Sequence, residues 1–431
     1  MKIVVIGAGS ASFGLKMVAD TLRATELRGR DVTLALVDVD EAALERMRRA
    51  ALRMRDPLGS DVRIEATTDR RQALPGAGYV ITSVERQRWP LWEQDFRVPL
   101  AHGFRHVLGE NGGPGALFHA LRNFELVIPM CRDIEELCPE ALVLNFTNPE
   151  TRLLHAICHL TRVKAAGLCH GVFGTLNRLT EYLGRPLAEL KVVSAGMNHF
   201  FCILEVRDRK TGEDLLPRCL EAARRDTSRR ATPLYRKFAE VFDVLSIPTE
   251  DHLGEYVAYG SEFHGVAWHY GIERRPVRTQ AAPAPDVLQE YVDGKRPADD
   301  PLILAGSAEL ALPIIGDMEL KRDREHPAIN VLNTDGYIPN LPRDAAVEVP
   351  GRVRNGRLEA VHVGPVPEPM AAYMRTQFSI HSLLTEAYRT RSRKLLLQAL
   401  LLDPVVNSIT EAEKLLDEML ALQADFLPTF Q

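Results

Sequence analysis

The stretch Lys2-Ile3-Val4-Val5-Ile6-Gly7-Ala8-Gly9-Ser10-Ala11-Ser12 decides the fold. Its first five residues form a short, nearly unbroken apolar run, as a parallel strand covered on both faces requires. Gly7 and Gly9 then permit a tight turn and close backbone approach to a pyrophosphate, and Phe13 to Leu22 reads as the helix whose N-terminus receives it. Ser10 lies within this turn. Ser12 stands where the usual fingerprint has a third glycine, and Gly14 offers the close helix–strand packing instead. The next strand, Val32 to Val37, ends in Asp38. An acid at that strand end accepts from the adenosine ribose hydroxyls and repels a 2′-phosphate, which favours NAD over NADP. The competing role for Asp38 is to cap the helix Glu41 to Leu52.

Further out, Tyr79 to Val84 reads as the fourth strand of a doubly wound sheet, with Ser83 to Arg86 bordering the cofactor. Gly109-Glu110-Asn111-Gly112-Gly113-Pro114-Gly115 is too glycine-rich for an element interior. It is either a shaped loop before the helix Ala116 to Leu126, with Glu110 or Asn111 reaching into the cleft, or a plain surface turn. Ala141 to Phe146 is another buried strand, ending at Thr147-Asn148-Pro149, where the Asn148 amide can meet sugar or hydroxy-acid oxygens. Leu168-Cys169-His170-Gly171 and Gly196-Met197-Asn198-His199 each close an apolar run with a metal-type ligand at a glycine-bearing turn. A thiolate and an imidazole from neighbouring strand ends form half of a divalent-metal site, with open positions left for substrate oxygens. A buried cysteine and a core histidine are the plain alternative.

After Cys202 the pattern changes. Ile203 to Val206 alternates like an exposed strand, and Arg207 to Arg230 is dense in charge. Thr249 to Tyr259 gathers acids, a histidine and two tyrosines around one glycine, either as a solvated loop or as the source of a catalytic acid or base. Thr279 to Pro301 reads as a mobile connection or lid edge, and Met370 to Leu401 and Thr410 to Leu422 as closing helices. The chain of 431 residues thus divides into an N-terminal Rossmann-type doubly wound parallel sheet, 1–200, and an α+β unit for substrate and oligomer contacts, 201–431. A net charge of −5 gives no reason to expect nucleic acid or an anionic membrane as partner. Six cysteines in a chain this long suit a reducing, cytoplasmic setting. No leader peptide is read at Met1 to Gly7, and no stretch approaches a membrane span.

Taken together and in this order, these motifs resemble glycoside hydrolase family 4, the NAD- and manganese-dependent glycosidases. The carriers are Gly7-Ala8-Gly9-Ser10 with Phe13, the 109–115 loop, Thr147-Asn148-Pro149, Cys169-His170-Gly171-Val172, Gly196-Met197-Asn198-His199 and the Asp251 to Tyr256 segment. The resemblance implies a fold similar to lactate and malate dehydrogenases. It also implies an exception to two-carboxylate glycoside hydrolysis: hydride transfer from carbon 3 of the sugar to NAD, proton loss at carbon 2, elimination of the aglycone, water addition and return of the hydride. It makes Cys169 and His199 the metal ligands, His170 the group assisting aglycone departure, and Asp251, or else Tyr256, the base. Asn148 would hydrogen-bond sugar hydroxyls, and Glu110 would lie near the metal or nicotinamide. Homodimers or homotetramers are typical of the family.

The residues after the ligand cysteine differ among subgroups. Phosphoglycosidases carry Asn or Asp there, which argues against a 6-phosphosugar. Cys-His-Gly resembles the α-glucuronidase and α-galacturonidase subgroup, whereas Cys-His-Ser is typical of α-galactosidases and Cys-His-Glu of α-glucosidases. A uronic acid calls for a cationic receptor, with Arg86, Arg88 and Arg278 as candidates. A neutral-sugar α-glycosidase is the nearer alternative. More remote is an NAD-dependent 2-hydroxy-acid dehydrogenase, which would have no use for Cys169 with His199.

Overall fold

The computed structural model describes residues 1–10, 13–228, 232–268 and 286–431. Ser12, Arg278 and the start of the expected lid edge, 279–285, lie outside them. Among the described residues one sheet runs through the molecule in the order β3-β2-β1-β4-β5-β6-β9-β10-β7-β8, with β11 paired to β10. The strands are β1 Lys2–Ile6, β2 Thr33–Val37, β3 Arg63–Thr67, β4 Tyr79–Thr82, β5 Leu142–Asn145, β6 Lys164–Gly167, β7 Leu190–Met197, β8 Phe200–Asp208, β9 Arg324–Leu332, β10 Ala346–Arg354 and β11 Arg357–Ala360. The first six are mutually parallel in the Rossmann order 3-2-1-4-5-6, and the remainder are antiparallel.

Strand β1 shows why its sequence is apolar throughout. Val4 and Ile6 join a core beneath helix Gly113–Leu137 and the C-terminal helices Glu368–Thr390, Arg393–Leu401 and Ile409–Leu422. Ile3 and Val5 join the opposite core, under helices Phe13–Arg23, Glu41–Leu58 and Ala311–Glu319. Each such buried side chain removes enough apolar surface to contribute roughly 1.5–3 kcal/mol. The closing helices expected at the C-terminus therefore cover the N-terminal parallel sheet, and Leu396 is fully buried there. The sheet is continuous across the expected 200/201 division, and β7 lies in its antiparallel half.

Two readings of the later sequence are corrected. Strand β8 is not an exposed strand: Phe200, Phe201 and Cys202 are fully buried in a third core with helix Gly171–Leu183 and the segment around Leu253. A register shift opposite Val193 and Ser194 breaks the expected alternation, leaving Ile203 and Val206 buried with Leu204 and Glu205 half-buried between them. From Asp286 onward the supposed lid edge is a docked helix, Val287–Val292. Asp286 caps it, and Tyr291 is buried under the Arg53 guanidinium at 5.0 Å. Among the described residues no helix is long and apolar enough to cross a membrane.

Candidate active site

The carboxyl ends of β1, β2, β4 and β5 open onto a cavity of about 1010 Å³. It is lined by Gly7, Ser10, Phe13, Asp38, Ser83, Arg86, Trp89 and Asn148, among others. Gly7 has φ +90°, and a side chain there would collide with the Ser83 carbonyl. Gly9 N–H donates to Asp38 Oδ2 at 2.8 Å, and a Cβ on Gly9 would press on the same carboxylate. Gly14 has no room for a side chain against the Ala8 carbonyl, so it packs helix against strand as a third fingerprint glycine does. The helix cap proves to be Asp40, which accepts from Ala43 N, so Asp38 is not spent on capping. Ser10 Oγ accepts from Phe13 N at 3.2 Å and closes the turn.

The Cys169 and His199 turns meet in a way the sequence did not suggest. Strands β6 and β7 are not neighbours, since β9 and β10 lie between them. They pair with those strands only near their carboxyl ends, in the row Gly167–Asn330–Glu348–Gly196. Both strand ends deliver their turns to this row. Cys169 Sγ lies 3.2 Å from His199 Nε2. Burial, aided by His252, pulls the imidazole down to about 3 and so keeps it neutral, while burial pushes the thiol up to about 12. A neutral imidazole and a shielded sulfur at this spacing fit a divalent cation, whose charge would drive off the thiol proton. Among the described residues no group of three or more His, Cys, Asp or Glu could hold a metal, so a cation held here would draw its other ligands from elsewhere. Asn198 Nδ2 donates to Glu348 Oε2 at 3.0 Å, and its side chain also bonds the Cys169 sulfur. His170, mostly exposed, places Nδ1 2.8 Å from Glu309 Oε1, and this bond raises its pKa.

The glycine-rich loop is no surface turn; residues 109–115 are buried throughout. Glu255 Oε1 accepts the backbone N–H groups of Glu110, Asn111 and Gly112 at 2.8, 2.7 and 3.1 Å. That bond set fastens the loop to the acid-rich segment, which is likewise no solvated loop, since Leu253, Glu255, Tyr256 and Val257 are buried. Glu110 accepts from Arg88 at 2.6 Å and from Asn148 Nδ2 at 3.3 Å. Burial favours its neutral form, but Arg88 and the nearby histidines outweigh that and hold its pKa below the ordinary value. Glu110 thus stands between the dinucleotide-sized cavity and the Cys169–His199 pair. The His252 ring lies 4.2 Å from that of His199, and against the opposing effect of burial Glu255 and Asp251 bring it to about 9. Tyr256 O–H donates to the Asn198 carbonyl at 3.4 Å, and burial drives its pKa well up, which disfavours a phenolate base. Asp251 is part-exposed at the same cluster and within electrostatic reach of His199.

Of the arginines expected to receive a carboxylate, Arg88 is already paired with Glu110, and Arg86 is exposed on the cavity wall. The sequence reading placed His252 and Glu255 in the acid-rich 249–259 cluster and Glu85 beside the cofactor without giving any of them a role, and it missed Glu309 and the pairing of His119 with Glu85 at 2.9 Å.

The chain matches the profile described as family 4 glycosyl hydrolase over residues 2–185 and that of the family 4 glycosyl hydrolase C-terminal domain over 194–406. An α-galactosidase of Bacillus subtilis is 32% identical over 100% of both chains. An α-glucosidase of Erwinia rhapontici is 29% identical over 99% of this chain and 98% of its own. An α-galacturonidase of Thermoanaerobacterium saccharolyticum is 25% identical over 97% and 94%. In structure, the 6-phospho-β-glucosidase of Thermotoga maritima solved with manganese, NAD⁺ and glucose-6-phosphate has a TM-score of 0.83, at 24% identity over 100% of both chains. A malate dehydrogenase of Picrophilus torridus shares the fold at TM-score 0.54 and 13% identity, over 90% of this chain and 98% of its own. By these matches, along nearly its whole length, the chain belongs to the family 4 glycosyl hydrolases.

Proposed function

We propose that this chain hydrolyses α-glycosides by a redox–elimination route with NAD and a divalent metal such as Mn²⁺, and that its preferred substrates are α-linked uronides. The observation that carries the route is the Cys169–His199 pair, 3.2 Å apart, with Glu110 in electrostatic reach of His199 and bonded to Asn148 on the wall of a dinucleotide-sized cleft. Gly7, Gly9, Ser10 and Phe13 would seat the pyrophosphate, Asp38 the adenosine ribose, and Ser83 the edge of the nicotinamide. Cys169 and His199 would hold the metal. When bound, the cofactor takes and returns a hydride at carbon 3 of the sugar while the metal polarises the oxygen there. Asn148 and Glu110 orient the sugar hydroxyls, Asp251 removes the carbon 2 proton, and His170 protonates the departing oxygen. Tyr256, with its hydroxyl on the Asn198 carbonyl, serves better as a wall of the site than as its base.

The uronide preference rests on Gly171 after Cys169-His170, with the cationic receptor assigned to Arg278 of the 269–285 segment. A neutral α-glycoside is the second reading, favoured by the names of the relatives at 29% and 32% identity. The same reading expects a cytoplasmic homodimer or homotetramer.

One assay plate tests this. Aryl α-glucuronide, α-galacturonide, α-glucoside and α-galactoside are each incubated with NAD, Mn²⁺ and a thiol reductant, and again with each omitted or with chelator. Uronide cleavage that stops without NAD or metal is expected. Cleavage of neutral sugars alone would remove the weight placed on Gly171, and NADH formed from a hydroxy acid without any hydrolysis would overturn the route. Cys169→Ser should abolish metal-dependent turnover and leave NAD binding intact.

A further inference from the structure

Segment 304–309 is built as a strap on the helix that follows the dinucleotide turn. Arg23 of helix Phe13–Arg23 donates to the Leu304 carbonyl at 2.7 Å, and Asp20 of the same helix accepts the Ser307 N–H at 3.0 Å and its hydroxyl as well. A side chain on Gly306 would press on the Asp20 carboxylate that receives Ser307. Ser307 Oγ in turn accepts the Glu309 N–H at 2.9 Å. The strap ends by setting Glu309 Oε1 against His170 Nδ1 at 2.8 Å. Exposed His–Glu pairs are usually incidental surface contacts. This carboxylate is different: its side chain is only 10% exposed while the imidazole it holds is 75% exposed.

We propose that Glu309 is the positioning residue for His170, fixing the imidazole with Nδ1–H toward the carboxylate and Nε2 toward the glycosidic oxygen. This deepens the glycosidase reading and rests on it. As the carbon 2 electron pair forms the C1–C2 double bond, the C1–O bond breaks and its electron pair leaves with the aglycone oxygen. That oxygen takes the Nε2 proton of the doubly protonated ring, and the neutral imidazole remains as the Nδ1–H tautomer bonded to Glu309. A buried carboxylate behind an imidazole fixes tautomer and orientation in this way in other acid–base pairs.

The test uses aryl and alkyl glycosides of one sugar, graded in leaving-group acidity, on the NAD- and Mn²⁺-loaded enzyme. Poor leaving groups need the proton and good ones do not. Glu309→Ala should therefore cut kcat/KM for an alkyl glycoside by about 100-fold and for the 4-nitrophenyl glycoside by only about threefold. Glu309→Gln should show the same trend more weakly, and adding it to His170→Asn should not steepen the dependence further. A second arm needs no activity. In ¹⁵N-histidine-labelled protein, with the His170 signals assigned by their loss in His170→Asn, the wild type should show Nδ1 protonated, and Glu309→Ala should show averaged tautomers. Equal losses on all leaving groups, no loss at all, or a His170 tautomer indifferent to Glu309 would each overturn the proposal. If the wild type cleaves no glycoside, the glycosidase reading falls, and the nitrogen shifts alone decide whether Glu309 orients His170.

Discussion

At the scale of single residues, Asp38 joins two tasks in one carboxylate. Oδ2 fastens the Gly9 N–H at 2.8 Å, Oδ1 accepts the Asp40 N–H at 3.0 Å, and the group lines the cavity where a ribose would lie. Hydrogen bonds to a charged acceptor contribute about 1.5–3 kcal/mol each, so Asp38→Ala should weaken NAD binding by about 10- to 100-fold. Titration calorimetry checks this, and a lowered melting temperature with unchanged NAD affinity would reduce Asp38 to a fastener of the loop. Asp38, Gly7 and Gly9 were legible in the sequence because a strand, a glycine turn and a helix confine their roles to some thirty residues. The roles of Glu255 and Glu309 were not. Their partners lie 143 to 145 and 139 residues away, so a clustered acid such as Glu255 shows no partner in the sequence, and a lone one such as Glu309 shows nothing at all. The alternative roles of Cys169 and His199, buried thiol or core imidazole, could be separated only by their distance.

At the scale of elements, the 109–115 loop shows what its glycines are for. Gly109 and Gly113 take left-handed φ values of +71° and +78° and wrap the His106 ring, whose Nε2 meets the Phe96 carbonyl at 2.8 Å. Gly115 lies flush against the Asp95 carbonyl, and Asp95 is fully buried in a two-pronged pair with Arg122 at 2.9 and 2.6 Å. Gly115→Ala therefore drives a methyl group into a backbone that cannot yield without breaking a buried ion pair. It should cost about 3 kcal/mol or more, read as a fall in melting temperature or loss of soluble protein. A variant as stable as the wild type would mean that the helix Arg88–Ala101 shifts freely. The sequence showed that this loop was shaped, because no helix or strand interior tolerates so many glycines. It could not show that the shape is a socket for Glu255, 143 to 145 residues away, or that the loop folds back over His106 just before it.

At the scale of the molecule, the row Gly167–Asn330–Glu348–Gly196 joins the two halves of the sheet, and it is polar where a core is normally apolar. Glu150 and Glu348 are fully buried beside each other, and a side chain on Gly167 would collide with the Glu150 carboxyl. Burial first, then Glu348, raises Glu150 well above the carboxylate range, so Glu348 is the member of the pair that titrates near neutrality. Its pKa is pushed from the ordinary 4.5 up to about 7 by burial. Below pH 4.5 folded and unfolded chains both carry the proton and there is no penalty. As pH rises toward 7 the unfolded chain releases it and the folded chain does not, so stability falls by ~3 kcal/mol. His106 acts in the opposite sense. Burial lowers it from 6.5 to about 4, so its contribution to stability grows as pH rises across that window. Glu150 adds a second falling slope, and the buried His155, His199 and His381 add rising ones, so the wild-type profile is a sum in which no single group shows. Glu348→Gln keeps an acceptor for the Asn198 amide and removes the falling slope that Glu348 itself contributes. The difference in apparent unfolding free energy, variant minus wild type, should therefore grow by ~3 kcal/mol between pH 4.5 and 7, with His106 cancelling from the subtraction. Urea titrations at a series of pH values measure it. A difference that stays constant with pH would mean that Glu348 is ionised in the folded protein, and that the junction beneath Cys169 and His199 carries a negative charge rather than two neutral carboxyls.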